Sequence, residues 1–137
     1  MLYNYLDARG VNVIKQWASA LGQRDLAALN SKLDTLAAVT DPLRELPGLL
    51  FGPGIGGHQE IWKLRIGGSG SGNALRPLLC KGPSDKAREI TLLAGATERD
   101  GDLRPEGIAD TADRRRKEIM NDKTRRCDHE PVRPKIS

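Results

Sequence analysis

Glu60-Ile61-Trp62-Lys63-Leu64-Arg65-Ile66 opens the stretch that decides the fold, and Ala74 to Lys81 and Arg88 to Ala96 continue it. Each segment is rich in Ile, Leu or Trp, and each is bounded by turn-forming residues. The run Gly67 to Gly72 separates the first two, and Gly82-Pro83-Ser84-Asp85 opens the turn before the third. Short apolar runs punctuated this way predict a β-meander. The meander also carries Lys63, Arg65, Arg76 and Lys81 among its apolar positions. Cations on strand positions call for an anion to hold.

N-terminal to the meander, Leu2 to Leu6 reads as a short edge strand containing Tyr3 and Tyr5. Val13, Ile14, Trp17 and Leu21 then share one helical face, and Gly22 stands where a C-cap glycine stops a helix. Leu26, Leu29, Leu33 and Leu36 form the stripe of a second helix, which Asp41-Pro42 closes. The two predict an antiparallel helical hairpin. Residues 41–59 read as loop. Their run Gly52-Pro53-Gly54-Ile55-Gly56-Gly57 lacks the Gly-Lys-Ser/Thr ending of a P-loop and opens no helix. No cofactor is expected.

C-terminal to it, Thr97 to Pro105 is polar and turn-prone, and Glu106 to Asp122 predicts a third helix with Ile108, Ala112, Arg115 and Ile119 on one face. The order is β-α-α-β-β-β-α, an α+β domain with helices packed on one side of a small antiparallel sheet. A single domain over residues 1–122 is expected, with a basic, disordered tail over 123–137.

At 137 residues the chain can bury a core, and with 4% aromatics that core must be aliphatic. No apolar run approaches the roughly 20 residues of a membrane span, and the N-terminus lacks signal-peptide character. A cytoplasmic protein without membrane contact is the expectation. The formal net charge is +4, and residues 114–137 alone carry nine cations against four carboxylates. Such an end can contact phosphates or simply stay solvated. Cys80 and Cys127 make no disulfide framework. Cys127 and His129 are too few ligands for zinc, so no metal site is expected.

The order and spacing of these segments resemble the RelE superfamily of bacterial toxins, in its HigB-like, phage-derived branch, over about residues 1–120. Ile61-Trp62-Lys63-Leu64-Arg65 stands for a "Leu-Trp/Tyr-Glu-Leu-Arg" motif. Leu75-Arg76-Pro77-Leu78-Leu79 stands for "Tyr-Arg-Val-Leu-Tyr", and Leu92-Leu93-Ala94-Gly95-Ala96-Thr97-Glu98-Arg99 for "Leu-Leu-His-Gly-Phe-x-Lys-Lys". Arg104-Pro105-Glu106 and the Ala109 to Arg114 segment fall where the family has a "Thr-Pro" loop and an "Ala-x-x-Arg" helix. The departures are Lys63 for the motif Glu, Leu75 for an aromatic, Ala94 and Ala96 for His and Phe, and Glu98 for the first Lys. Pro77 removes a ladder donor and predicts a bulge or an edge.

The resemblance implies an mRNA endoribonuclease that acts on or off the translating ribosome. It also implies restraint by a cognate antitoxin of helix-turn-helix type. Metal-independent cleavage by 2′-OH attack needs a proton acceptor, stabilisation of the phosphorane, and a proton for the leaving oxygen. Arginine meets phosphate oxygens with a planar fork. Carried over by motif, Arg65 and Arg76 are the catalytic phosphate-binding candidates, with Arg99 in place of the last Lys; Lys63, Lys81 and Arg104 are RNA-binding candidates. Glu60, Glu98 and His58 are the available proton acceptors. The same cations also fit a solvated sheet face or edge protection, and Trp62 fits packing on the helical hairpin. The alternative is therefore a RelE-fold module that has lost catalysis and binds a protein or RNA partner, as a phage or prophage accessory protein.

Overall fold

A computed structural model of the chain describes residues 1–67 and 74–134. Most of the Gly/Ser run lies outside the described residues. The elements are β1 (Leu2–Tyr5), α1 (Val13–Ser19), α2 (Gln23–Ala38), α3 (Pro42–Glu45), β2 (Leu50–Phe51) and a 3-10 turn at Ile55–Gly57. Then follow β3 (Trp62–Leu64), β4 (Ala74–Leu75), β5 (Leu78–Lys81), β6 (Ile90–Ala94), β7 (Thr97–Arg99), β8 (Asp102–Arg104), α4 (Ile108–Asn121) and β9 (Arg126–Asp128). The fold is mixed α+β, with a mostly antiparallel six-stranded sheet in the order β2-β3-β5-β6-β1-β9 and a three-stranded sheet β4-β7-β8.

The expected meander is present as β3-β5-β6, each strand antiparallel to the next. Its second strand is broken at Arg76-Pro77. Pro77 has no N–H to give a ladder, but its carbonyl accepts from Leu64 N at 2.9 Å. The chain changes sheets there: Ala74–Leu75 pairs with β7, while Leu78–Lys81 stays in the main sheet, with a register shift at Leu78/Leu79. The third strand is also divided, at Gly95. A Cβ there would lie 2.0 Å from Trp17 Cδ2, so the indole of α1 rests on bare backbone.

The stripes of the second and third predicted helices are found as read, but α1 ends at Ser19 with Ala20 as its C-cap, so Leu21 lies outside it and Gly22 is the N-cap of α2 instead of the C-cap of α1. Leu26, Leu29, Leu33 and Leu36 are the buried residues of α2, and Ile108, Ala112 and Ile119 are buried on α4. Asn12 caps α1 by accepting from Lys15 N at 3.0 Å. The layering differs from the expectation of helices on one side. One cluster joins α1 and α2 to Leu64, Leu79 and Leu92; the other joins α4 to Leu78, Cys80 and Leu93. Neighbouring residues such as Leu78 and Leu79 point to opposite faces, so helices cover both. Every residue of β6 is buried for this reason, as its unbroken apolar run Ile90-Thr91-Leu92-Leu93-Ala94 requires. Tyr5 is the one aromatic among the buried core residues of the described chain.

Three segments differ from their reading. The loop 41–59 contains α3, β2 and the 3-10 turn. The polar segment after Ala96 is the β7–β8 hairpin, turned by Asp100 and Gly101 with φ of 51° and 83°. Positive φ at both central residues is the twist-matched hairpin turn that Asp-Gly favours. The tail, expected to be disordered, instead continues into β9, which pairs antiparallel with β1 while β1 runs parallel to β6. Arg126 Nη1 donates to buried Glu89 at 2.8 Å, and Arg125 Nη2 donates to the Tyr5 hydroxyl at 2.9 Å. Among the described residues no helix is long and apolar enough to cross a membrane, and no group of three or more His, Cys, Asp or Glu is placed to hold a metal. Both cysteines are free thiols, and burial pushes Cys80 up to about 12.

Candidate nucleic-acid interface

Strand register decides which of the singled-out cations can act together. Phe51 stands opposite Lys63, and Lys63 opposite Leu78, whose side chain belongs to the α4-side cluster. Phe51, Lys63 and, by alternation, Arg65 therefore share the face that α4 covers. α4 packs on β5, β6 and β8. Phe51 and Arg65, at the β2–β3 end of that face, are exposed.

At the edge of this open end sits a charged knot. One Glu98 oxygen accepts from Lys63 Nζ at 2.8 Å and the other from Arg76 Nε at 3.2 Å. Arg76 Nη1 also donates to the carbonyls of Ile66 and Leu75, both at 2.8 Å. The Lys63, Arg76 and Glu98 side chains are only 20%, 13% and 17% exposed. The Lys63 hydrogen bond, reinforced by the charges of Lys63 and Arg76, holds the Glu98 carboxyl below its ordinary range. The anion that Lys63 and Arg76 hold in the free protein is thus Glu98.

Arg65 is held differently. Its guanidinium lies 4.4 Å from the Phe51 ring centroid, with Lys63 Nζ at 6.0 Å from the same ring. Among the described residues no carboxylate pairs with it. Lys81 lies apart: alternation along β5 puts it on the face of Leu79, toward the helical hairpin, where its Nζ is 5.3 Å from the Trp62 ring. Trp62 packs against that hairpin-side cluster, as read. Arg99 and Arg104 are exposed on the β7–β8 hairpin. Arg99 pairs with Asp102 and Arg104 with Thr97, so both arginines point away from Glu98 and Leu103.

Beside the knot is a cleft of about 440 Å³ between the Gly54–Gly56 loop, the β7–β8 hairpin and the first turn of α4, with Lys63 and Glu98 in its wall. Two contacts fix its loop. A Cβ on Gly56 would sit 2.5 Å from Ala109 Cβ, so only glycine lets the loop touch α4 at this distance. His58 Nε2 is 2.7 Å from Asp110 Oδ1, and its Nδ1 is 3.4 Å from Asp113 Oδ2. Burial works against the Asp113 charge, but hydrogen bonds from Lys117 and Arg116 hold its carboxyl below the ordinary range. His58 thereby ties the loop to α4 through its Nε2 contact with Asp110. Of the other two proton acceptors, Glu98 is engaged by two cations and Glu60 is exposed in a turn.

The basic C-terminal region is largely occupied with the fold. Arg115 Nη1 donates to Leu93 O at 2.9 Å, Arg116 and Lys117 pair with Asp113, and Arg125 pairs with Glu118. Phe51 was missed by the sequence reading. Its only signal is the apolar run Leu49-Leu50-Phe51 between Pro47-Gly48 and Gly52-Pro53, too short to register as a strand. Comparison with protein-family models, with curated proteins and with solved structures gives no match in any of the three.

Proposed function

We propose that the chain is a RelE-like toxin of the HigB-like kind, which engages mRNA at the open end of its sheet and is restrained by a cognate antitoxin. The observation that carries this reading is Arg65, an exposed guanidinium with no carboxylate partner among the described residues, on the same face as the Lys63–Glu98–Arg76 knot. Its planar fork suits a phosphate. A phosphate seated beside it competes with Glu98 for Lys63 and Arg76. The displaced carboxylate then stands ready to take the 2′-OH proton as that oxygen bonds to phosphorus. The 5′-oxygen leaves with a proton from water, giving a 2′,3′-cyclic phosphate and a 5′-hydroxyl.

Glu98 also favours a second reading. A carboxylate that already neutralises two of the cations suits a module that binds RNA or a protein without cleaving. Inducible expression with growth measurement and mRNA 5′-end mapping separates the two. Cleavage predicts growth arrest and new 5′ ends, both relieved by Arg65→Ala. That exposed substitution spares the internal bonds of Arg76. Arrest by the Arg65→Ala variant equal to the parent overturns the assigned site. RNA binding without cleavage in translating extract, with and without ribosomes, selects the second reading.

A further inference from the structure

Phe51 is 41% exposed and, with Met1, is one of two exposed large hydrophobic residues among those described. A single exposed apolar side chain is ordinary. Three features set this one apart. It sits on the edge strand β2, directly opposite Lys63. The Arg65 guanidinium lies against its ring at 4.4 Å. The stack is on the same face as the cleft beside Lys63 and Glu98.

An aromatic ring topped by a guanidinium offers two flat surfaces for a nucleobase, together with a charge for the adjoining phosphate. Sequence-tolerant recognition of single strands uses this combination of base stacking on aromatic or guanidinium planes and cations along the backbone. A base paired within a duplex cannot present its face to such a platform. We propose that Phe51 and Arg65 form a stacking platform for one unpaired RNA base, placing the neighbouring phosphate at Arg65 and the rest of the nucleotide toward the cleft. This rests on the reading that the chain engages RNA, and it adds which group of the RNA is held and the requirement that it be single-stranded. Arg65 serves both parts: it stiffens the ring on one side and pairs with phosphate on the other. The ring contacts the Arg65 guanidinium without neutralising it, as a carboxylate would.

The test is fluorescence anisotropy of the purified full chain with a short labelled single-stranded RNA, the same RNA with one abasic site moved along it, and the matching duplex. Phe51→Ala is expected to weaken single-strand binding roughly 5- to 150-fold, the span that base–aromatic stacking covers. Phe51→Tyr keeps the ring and should bind as the parent does, which separates loss of stacking from a folding defect. An abasic site at one position should weaken the parent by the same factor and leave Phe51→Ala unaffected, and the duplex should bind the parent more weakly. If Phe51→Ala binds like the parent while Arg65→Ala does not, the platform is overturned and RNA engagement stands. If the parent binds none of the RNAs, both fall together.

Discussion

Glu98→Gln is the most informative substitution, because it keeps the shape of the side chain and removes only the charge that Lys63 and Arg76 share. Both cations are well covered, and Glu98 is their carboxylate partner at 2.8 and 3.2 Å. An exposed ion pair is worth about 0–1 kcal/mol, and breaking a fully buried one costs about 3–5 kcal/mol. Arg76 keeps its two carbonyl partners in the variant. A loss of about 1–3 kcal/mol is therefore expected, intermediate between those limits. For a chain of this size that corresponds to a fall in Tm of roughly 3–10 °C. The sign with pH follows from the lowered Glu98 carboxyl. Its stabilisation is fully present above the unfolded carboxylate value of about 4.3. It is lost as pH falls through the lower folded value, so parent and variant should converge in acid. RNA binding should change in the opposite direction. On the proposed RNA engagement, a neutral residue at position 98 leaves two more cations for the phosphates, each adding about 0.7 to the slope of log affinity against log salt for a single strand. Thermal melts across pH and salt-dependent anisotropy read both effects. A variant with the parent's Tm at neutral pH and the parent's salt slope refutes the claim that Glu98 holds these cations.

Deleting residues 123–137 should be strongly destabilising, not neutral as for a disordered tail. It removes β9, leaves buried Glu89 without Arg126 and uncovers the edge of β1. A loss on the order of 3–5 kcal/mol in urea unfolding is expected, with self-association in size-exclusion chromatography; an unchanged midpoint would sink the structural role given to this segment. Gly95→Ala drives a new Cβ to 2.0 Å from Trp17 Cδ2 and 2.1 Å from its Cγ. It should cost about 1–3 kcal/mol or more and shift the tryptophan emission; a variant with unchanged emission and stability would show that Trp17 does not lie on this backbone.

The parts of the fold that were legible in sequence are those whose signal is local. The leucine stripe of α2 and the apolar face of α4 repeat within a few residues, and the meander announces itself through apolar runs and turns. What was hidden depends on partners far away in the chain. β9 has no apolar alternation; it is held by pairing with β1 and by Arg126 on Glu89, 37 residues away. The break at Arg76-Pro77 is foreseeable from Pro77, but the destination of Ala74–Leu75 is not, because its partner β7 lies in the polar Thr97 to Pro105 segment, which reads as a turn. The turn at Asp100-Gly101 did carry its own hairpin signature, which the surrounding polar composition masked. The same holds for the charges. Composition counts cations without their partners, and most of the basic residues in α4 and β9 turn out to hold carboxylates or carbonyls of the fold.

Two departures from the RelE-type motif acquire a different meaning once their positions are known. Lys63 stands where the motif has Glu, and Glu98 where it has Lys. Taken singly, each is a loss of a motif charge. In space the two side chains meet at 2.8 Å, so in this chain a cation on β3 is paired with a carboxylate on β7. The positive end of the pair lies on β3, next to Arg65 and Phe51, and the negative end on β7 touches Arg76 as well. Cationic character therefore gathers at the β2–β3 edge, where Lys63 and Arg65 lie. This arrangement weakens the case for Arg76 as a standing phosphate ligand, since a phosphate must first replace Glu98 there. It strengthens the case for Arg65, which needs no such exchange. On the proposed function, binding at the edge and cleavage at the knot would be separable steps, the first open to an unpaired nucleotide and the second only to one that dislodges Glu98 from Lys63 and Arg76.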